Sequence, residues 1–100
     1  MGEVQVYTND RWIPICYRNF GWQEAVVICR QLGFTNASRL SGKALRHSSN
    51  YLVNLNCAGR EIALHQCRYQ IGNNNSCTER NIVSVECVGK GKLYTIRKFK

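Results

Sequence analysis

The cysteines are the residues of this chain whose type and spacing carry the most chemical information. There are six in 100 residues, the last four recurring every ten positions: Cys16, Cys29, Cys57, Cys67, Cys77 and Cys87. A domain of this size buries only a modest apolar core, and covalent cross-links are a common remedy. Since cytosolic thiols stay reduced, an even set in a short chain indicates disulfides and an oxidising, extracellular setting. The count alone leaves fifteen pairings open.

Zinc binding is the alternative role for such a set of cysteines. Zinc sites usually carry two ligands two to four residues apart on one tight turn. No two cysteines here are closer than ten positions, and only His47 and His65 could assist. The spacing therefore favours disulfides, and we expect no metal and no cofactor. The sequence also shows no Ser-His-Asp set and no paired carboxylates, so we expect the domain not to be an enzyme.

The charge is strongly basic. Fourteen Lys and Arg against six Asp and Glu give a net charge of +8, which favours an anionic partner. For any single arginine, a solvated surface charge is the ordinary explanation. The basic residues become dense only at the end, at Lys90, Lys92, Arg97, Lys98 and Lys100. We therefore divide the chain into one domain, residues 1–88, and a basic tail or linker, residues 89–100.

Strands and one helix must position the cysteines. Residues 3–7 alternate polar and apolar as in a half-buried strand, and 11–16 complete a hairpin in which Pro14 indicates an edge or a bulge. Residues 51–57 and 81–87 also have strand character. Residues 35–50 are polar and predict a long loop, 59–67 predict a short helix, and 72–76 predict another loop.

Helical spacing is clearest between residues 22 and 32. One apolar face is predicted there, formed by Trp22, Ala25, Val26, Cys29 and Leu32. Asn19 is a candidate N-cap, and Gly33 is placed to end the helix in a left-handed conformation. We expect Trp12 and Trp22 to pack in the core. Two sequons, at Asn36 and Asn74, lie in predicted loops and are candidate N-glycan acceptors in a secreted chain.

Several motifs together resemble the scavenger receptor cysteine-rich domain family. Arg11-Trp12 precedes Cys16, and residues 23–34 read QEAVVICRQLGF, like the family's R-W-G-T-V-C and D-A-x-V-V-C-R-Q-L-G-F segments. Residues 56–67, NCAGREIALHQC, resemble its N-C-x-G-x-E-x-x-L-x-x-C. The resemblance runs from about residue 3 to residue 88.

Six cysteines are similar to the group A form of that family. The resemblance implies the pairs Cys16–Cys77, Cys29–Cys87 and Cys57–Cys67. It also implies a small disulfide-rich α+β fold, in which a curved antiparallel sheet cradles one main helix and a short second helix is added.

This chain departs from the family pattern at the positions that form the ligand site in many members. Many members carry acidic pairs that bind calcium or magnesium and recognise ligands. At the matching positions this chain has Tyr17 and Arg18, Val53 and Asn54, and Asn81 and Ile82. Calcium prefers several carboxylate oxygens, so we expect no such metal site. The candidate ligand residues are Arg18, Asn54 and Asn81, with Arg39, Lys43 and Arg46 of the predicted long loop as a second choice.

The resemblance implies a non-catalytic recognition module, secreted or part of the extracellular portion of a membrane protein. Its partner would be an extracellular protein or a polyanion such as a microbial surface polymer or glycan, bound without calcium. One alternative is an accessory domain of a larger extracellular enzyme. Another is extracellular nucleic acid, bound non-specifically through the basic surface. We expect no membrane insertion and oligomers only through the parent protein.

Overall fold

Seven strands, one α-helix and one 3-10 turn are described in the computed structural model, which covers residues 2–8, 10–44, 50–73, 77 and 81–89. The elements are β1 (Gly2–Glu3), β2 (Gln5–Thr8), β3 (Arg11–Pro14), α1 (Trp22–Gln31), β4 (Asn36–Ala44), β5 (Asn50–Asn56), the 3-10 turn (Leu64–Gln66), β6 (Arg68–Asn73) and β7 (Asn81–Val88). The predicted fold class, a small disulfide-rich α+β domain, is confirmed. The second helix is only the 3-10 turn. No described helix is both long and apolar enough to cross a bilayer.

The strand β7 is the centre of the largest sheet, whose order is β1-β7-β4. Its residues 82–85 are all buried, as the apolar run predicted. The strand β4 pairs with it antiparallel from Asn36 opposite Val88 to Ala44 opposite Asn81. The prediction of a loop over 35–50 is therefore wrong for 36–44. The polar residues of β4 form a strand because the buried strand beside them supplies backbone partners.

Two smaller antiparallel ladders, β2–β3 and β5–β6, flank this sheet. They are connected through the segment after β3, where Ile15 bridges Leu52 and Cys16 bridges Ile82. Pro14 stands opposite Gln5 near the end of β3, which agrees with the predicted edge position. The strand β6 was not predicted, since five of its six residues are exposed and its pattern lacks a buried face.

The helix α1 packs on the core with most of the predicted face. Ala25 and Cys29 are buried and Val26 and Leu32 pack partly buried against the core, whereas Trp22 does not. Its buried residues are Glu24, Ala25, Val27, Ile28 and Cys29. Trp22 is 46% exposed, and Trp12 in β3 is 41% exposed, so the expectation that both tryptophans lie in the core is wrong. The ring of Trp12 contacts Tyr7 across the hairpin, with centroids 5.1 Å apart. Trp22 is the first helical residue.

The two ends of α1 are stabilised differently. Gly21, rather than Asn19, is the N-cap residue, and its N–H donates to Glu24 Oε1 at 2.8 Å. At the other end Gly33 has a φ of 91°, as predicted, and the N–H of Phe34 donates to the carbonyl of Cys29 at 3.0 Å. This is the Schellman pattern, which favours glycine because it requires a left-handed residue.

Three disulfides connect the elements, in the pairing that the resemblance implies: Cys16–Cys77, Cys29–Cys87 and Cys57–Cys67. The second of these joins the buried face of α1 to β7. The third closes a short loop around the 3-10 turn. No cysteine in the chain is left free.

Candidate ligand-binding surface

The candidate site forms where the chain leaves β3. The N–H of Cys16 donates to the carbonyl of Leu52 at 2.9 Å, and the N–H of Tyr17 donates to the carbonyl of Asn81 at 2.8 Å. The disulfide of Cys16 adds a covalent connection at the same place. Segments that are far apart in sequence therefore meet here, beside the three positions predicted to bind ligand.

Arg18 lies at the corner of a tight turn. The N–H of Phe20 donates to the carbonyl of Tyr17 at 3.0 Å, which closes the turn over Arg18 and Asn19. Asn19 has a φ of 63°, a left-handed conformation that Asn tolerates better than most residues. The turn leaves Arg18 exposed, with its guanidinium available to a ligand.

Asn54 reaches the same place from β5. It has a φ of 55° and lies where the register between β5 and β6 shifts. Its Nδ2 donates to Oε1 of Gln70 on β6 at 2.7 Å, which fixes the direction of the exposed amide. Together with Arg18 it lines a shallow pocket of about 260 Å³, which we call the Arg18 pocket; its full lining is Cys16, Arg18, Asn19, Val53 and Asn54.

Two of the positive φ angles outside glycine occur at this pocket. Three described non-glycine residues have positive φ, and two of them, Asn19 and Asn54, line the Arg18 pocket. The third, Asp10, belongs to the β2–β3 hairpin turn, where such angles are ordinary. Asn19 is held in this conformation by the turn that the N–H of Phe20 closes, and Asn54 by its hydrogen bond to Gln70.

Asn81 is adjacent to the pocket but does not line it. It is half-buried at the start of β7, and its carbonyl is occupied by the N–H of Tyr17. The structure therefore brings Arg18 and Asn54 together, while Asn81 supports the turn from behind through its backbone.

The second group of candidates lies on β4. Arg39 and Lys43 are exposed on this strand rather than in the predicted loop. Arg39 stands opposite Glu86 in the ladder, and Oε1 of Glu86 accepts a hydrogen bond from Oγ of Ser38 at 2.7 Å. Lys43 follows Gly42, where an added Cβ would lie 2.7 Å from Cδ2 of Tyr17, so this part of β4 passes close to the Arg18 turn. Arg46 lies outside the described residues.

The side chains at the family's metal positions do not fit a calcium or magnesium ion. Val53 and Ile82 are apolar and buried, and Tyr17 is half-buried against Gly42. Arg18 brings a positive charge, which leaves only the amide oxygens of Asn54 and Asn81. Hard cations need more oxygen ligands than this, preferably carboxylates.

A second group of metal-ligand atoms lies near the short loop: one atom each from Cys57, Glu61 and Cys67, all within 4.8 Å of one another. The two sulfurs are bonded to each other as a disulfide and offer no thiolate. The backbone N–H of Ala58, with further backbone N–H groups of the loop, holds the pKa of Glu61 below its ordinary value. Its carboxylate accepts the N–H of Ala58 and the N–H of Gly59, each at 2.9 Å, and so caps this loop.

Two structural residues were missed by the sequence reasoning. Glu24 is buried, and its Oε2 accepts the N–H of Cys57 at 2.8 Å, in addition to the bond from Gly21. Arg30 donates from Nη1 to the carbonyl of Glu61 at 2.8 Å and to that of Gly59 at 3.1 Å. Both lie within residues 23–34, the segment that carries the family motif. That motif is the sequence feature that could have identified them.

The first sequon is accessible in the structure. Asn36 is exposed at the start of β4, and its Oδ1 accepts the N–H of Ala37 at 2.8 Å. Exposure is what an N-glycan acceptor needs, and glycosylation of Asn36 stays a prediction. Asn74 lies outside the described residues.

Comparisons with known proteins agree with this architecture. The model of the scavenger receptor cysteine-rich domain family matches residues 1–88. The chain is 33% identical over 86 residues to macrophage receptor MARCO and 33% identical over 88 residues to T-cell differentiation antigen CD6, both from Mus musculus. It is 35% identical over 89 residues to lysyl oxidase homolog 4 from Bos taurus. These alignments cover 86%, 88% and 86% of this chain but only 17%, 13% and 12% of the relatives.

Among solved structures, the dimeric form of the domain from mouse MARCO superposes with a TM-score of 0.73 at 35% identity, covering 86% of this chain and 84% of that one. The curated relatives are thus several times longer than this chain, and the similarity concerns one domain of each. The match over residues 1–88 and the three disulfides show that the chain belongs to the scavenger receptor cysteine-rich domain family, whose members are extracellular parts of secreted or membrane proteins.

Proposed function

We propose that this domain is a non-catalytic recognition module that binds an anionic ligand at the Arg18 pocket without a metal ion. The observation that carries the proposal is the pairing of an exposed arginine with the fixed amide of Asn54 in a pocket whose described lining contains no acid. Arginine makes bidentate, charge-assisted contacts to carboxylate, sulfate or phosphate. An anion here would meet a donor surface rather than the acidic pairs typical of the family.

The basic tail is the competing location for the same ligand. Five of the fourteen Lys and Arg and none of the acids lie within residues 90–100, so the rest of the chain carries a net charge of +3. A tail of this kind attracts polyanions without any defined pocket. The experiment must therefore distinguish the contribution of one arginine to binding from that of the total charge.

Arg18→Asp is expected to weaken heparin binding by about tenfold or more, since it removes a charge-assisted contact and adds repulsion. Arg60→Asp is the matched control: Arg60 is exposed, lies outside the pocket, and changes the net charge equally. We expect it to weaken binding only about twofold. Surface plasmon resonance at several salt concentrations, with chelator present, measures both effects. Binding should weaken steeply with salt, because exposed charges are screened over roughly 8–10 Å.

Equal losses for the two variants, together with loss of binding on truncation after Val88, would place the ligand on the tail. Loss of wild-type binding in chelator would restore the family's cation-dependent mode. Duplex DNA at the same salt is the remaining comparison: binding as tight as that of heparin, equally affected by both variants, would indicate nucleic acid held by charge alone.

Calcium is expected to leave the stability of the domain unchanged. The reason is the donor set, in which Arg18, Val53 and Ile82 stand at positions that would have to offer oxygen ligands. Thermal unfolding in 1 mM calcium chloride, against sodium chloride of matched ionic strength, should give the same midpoint. A site with a micromolar dissociation constant would instead stabilise the fold by about 4 kcal/mol under these conditions.

The relatives that carry this domain are of different kinds. By name, MARCO is a macrophage receptor and CD6 is a T-cell differentiation antigen, whereas the bovine relative is a lysyl oxidase homologue. In either setting we propose the same role, attachment to a partner, for this domain. The solved MARCO domain is a dimeric form. For this chain we propose that one copy binds ligand and that oligomers form through the parent protein.

A further inference from the structure

The strand β6 has one edge that no other described strand covers. It belongs to a two-stranded ladder, in which β5 is its partner. The carbonyl of Leu52 on β5 accepts the N–H of Cys16, on the side of β5 that faces away from β6. Leu52 and Ile71 stand opposite each other and are therefore a pair without mutual hydrogen bonds. The N–H and carbonyl of Ile71 consequently point away from β5, as do those of Tyr69 two residues earlier.

The side chains beside this outer edge differ between the two faces of the ladder. Tyr69 and Ile71 share the face of Leu52, and they are 46% and 42% exposed. Arg68 and Gln70 lie on the other face, where both are exposed. Arg68 has no ion pair to another described residue. One face of the edge is therefore apolar, and the other is basic and polar.

The apolar face borders a pocket between β6 and the β2–β3 hairpin. The pocket has a volume of about 80 Å³, and its lining includes Tyr7, Leu52, Leu64 and Tyr69. The ring of Tyr7 is in contact with that of Trp12, which is itself 41% exposed. Exposed aromatic residues around an apolar depression are typical of the centre of a protein–protein interface.

We propose that the outer edge of β6 binds an extended segment of a partner protein as an added strand, and that this segment alternates acidic and apolar residues. Its backbone exchanges hydrogen bonds with Tyr69 and Ile71. Its apolar side chains lie beside Tyr69 at the pocket, and its acidic side chains face Arg68. In strand addition, main-chain hydrogen bonds supply affinity and alternate side chains supply specificity. The proposal is independent of the Arg18 pocket.

A second copy of this chain suits the edge less well than an acidic partner. Each copy carries a net charge of +8, so two copies repel each other. The sequence of β6, RYQIGN, contains a base and no acid, so pairing it with itself forms no ion pair. An acidic segment is instead attracted to the chain and complements Arg68.

The test uses the full chain and a blocked ten-residue peptide in which Asp or Glu alternates with Leu or Val. The control peptide has the same composition, with the acids in one half and the apolar residues in the other. Isothermal titration calorimetry measures both affinities. We expect the control peptide to bind at least about tenfold more weakly, because only alternation directs all the acids to the Arg68 face.

Backbone N-methylation of the peptide tests the added strand directly. Alternate N–H groups of a strand point to the same side, so only one of the two alternate sets can donate to β6. Methylating two central N–H groups of that set is expected to weaken binding at least about tenfold, and methylating two of the other set less than about threefold. This measurement uses the wild-type protein and does not depend on the folding of a variant.

Ile71→Pro is the matching change in the protein. It removes the outward N–H and keeps the ladder bonds to β5, so we expect peptide binding to weaken at least about tenfold. Ile71→Thr keeps the N–H and should cost less than about threefold. Arg68→Glu is expected to weaken binding about fivefold. Arg60→Glu makes the same charge change at an exposed position away from the edge and should cost less than about twofold. Unchanged melting temperatures would show that the variants fold.

Equal affinities of the two N-methylated peptides would overturn the proposal, since strand addition uses one set of N–H groups. Equal effects of Arg68→Glu and Arg60→Glu would overturn the assignment of acidic residues to the segment. A wild-type chain that is dimeric in analytical ultracentrifugation, but monomeric as Ile71→Pro, would assign the edge to a second copy instead. Peptide binding that appears only after truncation after Val88 would assign the edge to residues 89–100, which also contradicts the proposal.

Discussion

Replacing Glu24 with alanine is expected to lower the free energy of unfolding by about 4 kcal/mol, since hydrogen bonds to a charged group contribute roughly 2 kcal/mol each. The buried carboxylate accepts two of them, from the N–H of Gly21 and the N–H of Cys57. Alanine would leave the cap of α1 open and a buried N–H without an acceptor. Small domains have about 5–15 kcal/mol of stability in total, so the loss is large.

Guanidinium chloride unfolding with the disulfides intact measures this change. Glu24→Gln is expected to cost about half as much, because one oxygen remains to accept a hydrogen bond. Gln23→Ala, an exposed neighbour on the same helical turn, is the control and should change stability by less than about 0.5 kcal/mol. Equal effects of Glu24→Ala and Gln23→Ala would show that the carboxylate does not connect the helix to the loop.

Removing the Cys29–Cys87 disulfide is expected to have an effect of similar size. The two residues are 58 positions apart, and a cross-link over such a loop stabilises by about 4 kcal/mol in the chain-entropy account. Both cysteines are buried, at 0% and 3% exposure, so replacing them with alanine also loses core contacts between α1 and β7. We expect the double alanine variant to be largely unfolded at 37 °C.

The short disulfide is the internal control for this experiment. Cys57 and Cys67 are ten positions apart, and the same account predicts about 3 kcal/mol for their cross-link. Their removal should free the loop around the 3-10 turn while the sheet around β7 persists. Circular dichroism and denaturant unfolding distinguish the two variants. A Cys57/Cys67 variant less stable than the Cys29/Cys87 variant would mean that the short loop, rather than the α1–β7 contact, dominates stability.

The candidate site combines predicted and unpredicted residues. Arg18 and Asn54 were selected from sequence because they stand where relatives carry acids, and they line one pocket. Gln70, which holds the amide of Asn54, was not predicted, because β6 has no alternating pattern and its residues were not assigned to a strand. Its contact with Asn54 depends on the pairing of β5 with β6, and that pairing joins residues far apart along the chain.

The sequence by itself determined the elements with strong local signals. The apolar run of β7, the helical spacing before Gly33 and the cysteine set are patterns of neighbouring residues, and a short-range rule suffices to interpret them. The disulfide pairing came from the family resemblance, since counting leaves fifteen choices.

Only the tertiary structure decided the features that depend on distant partners. The polar segment 36–44 is a strand because β7 supplies its hydrogen bonds, and β6 is a strand because β5 does. Glu24 is a buried acceptor because Cys57 folds back over the start of α1. The two tryptophans are exposed because the positions of the hairpin and the helix relative to the core, rather than side-chain hydrophobicity, decide burial. Local propensity cannot specify such contacts, since each needs a residue more than ten positions away in the sequence.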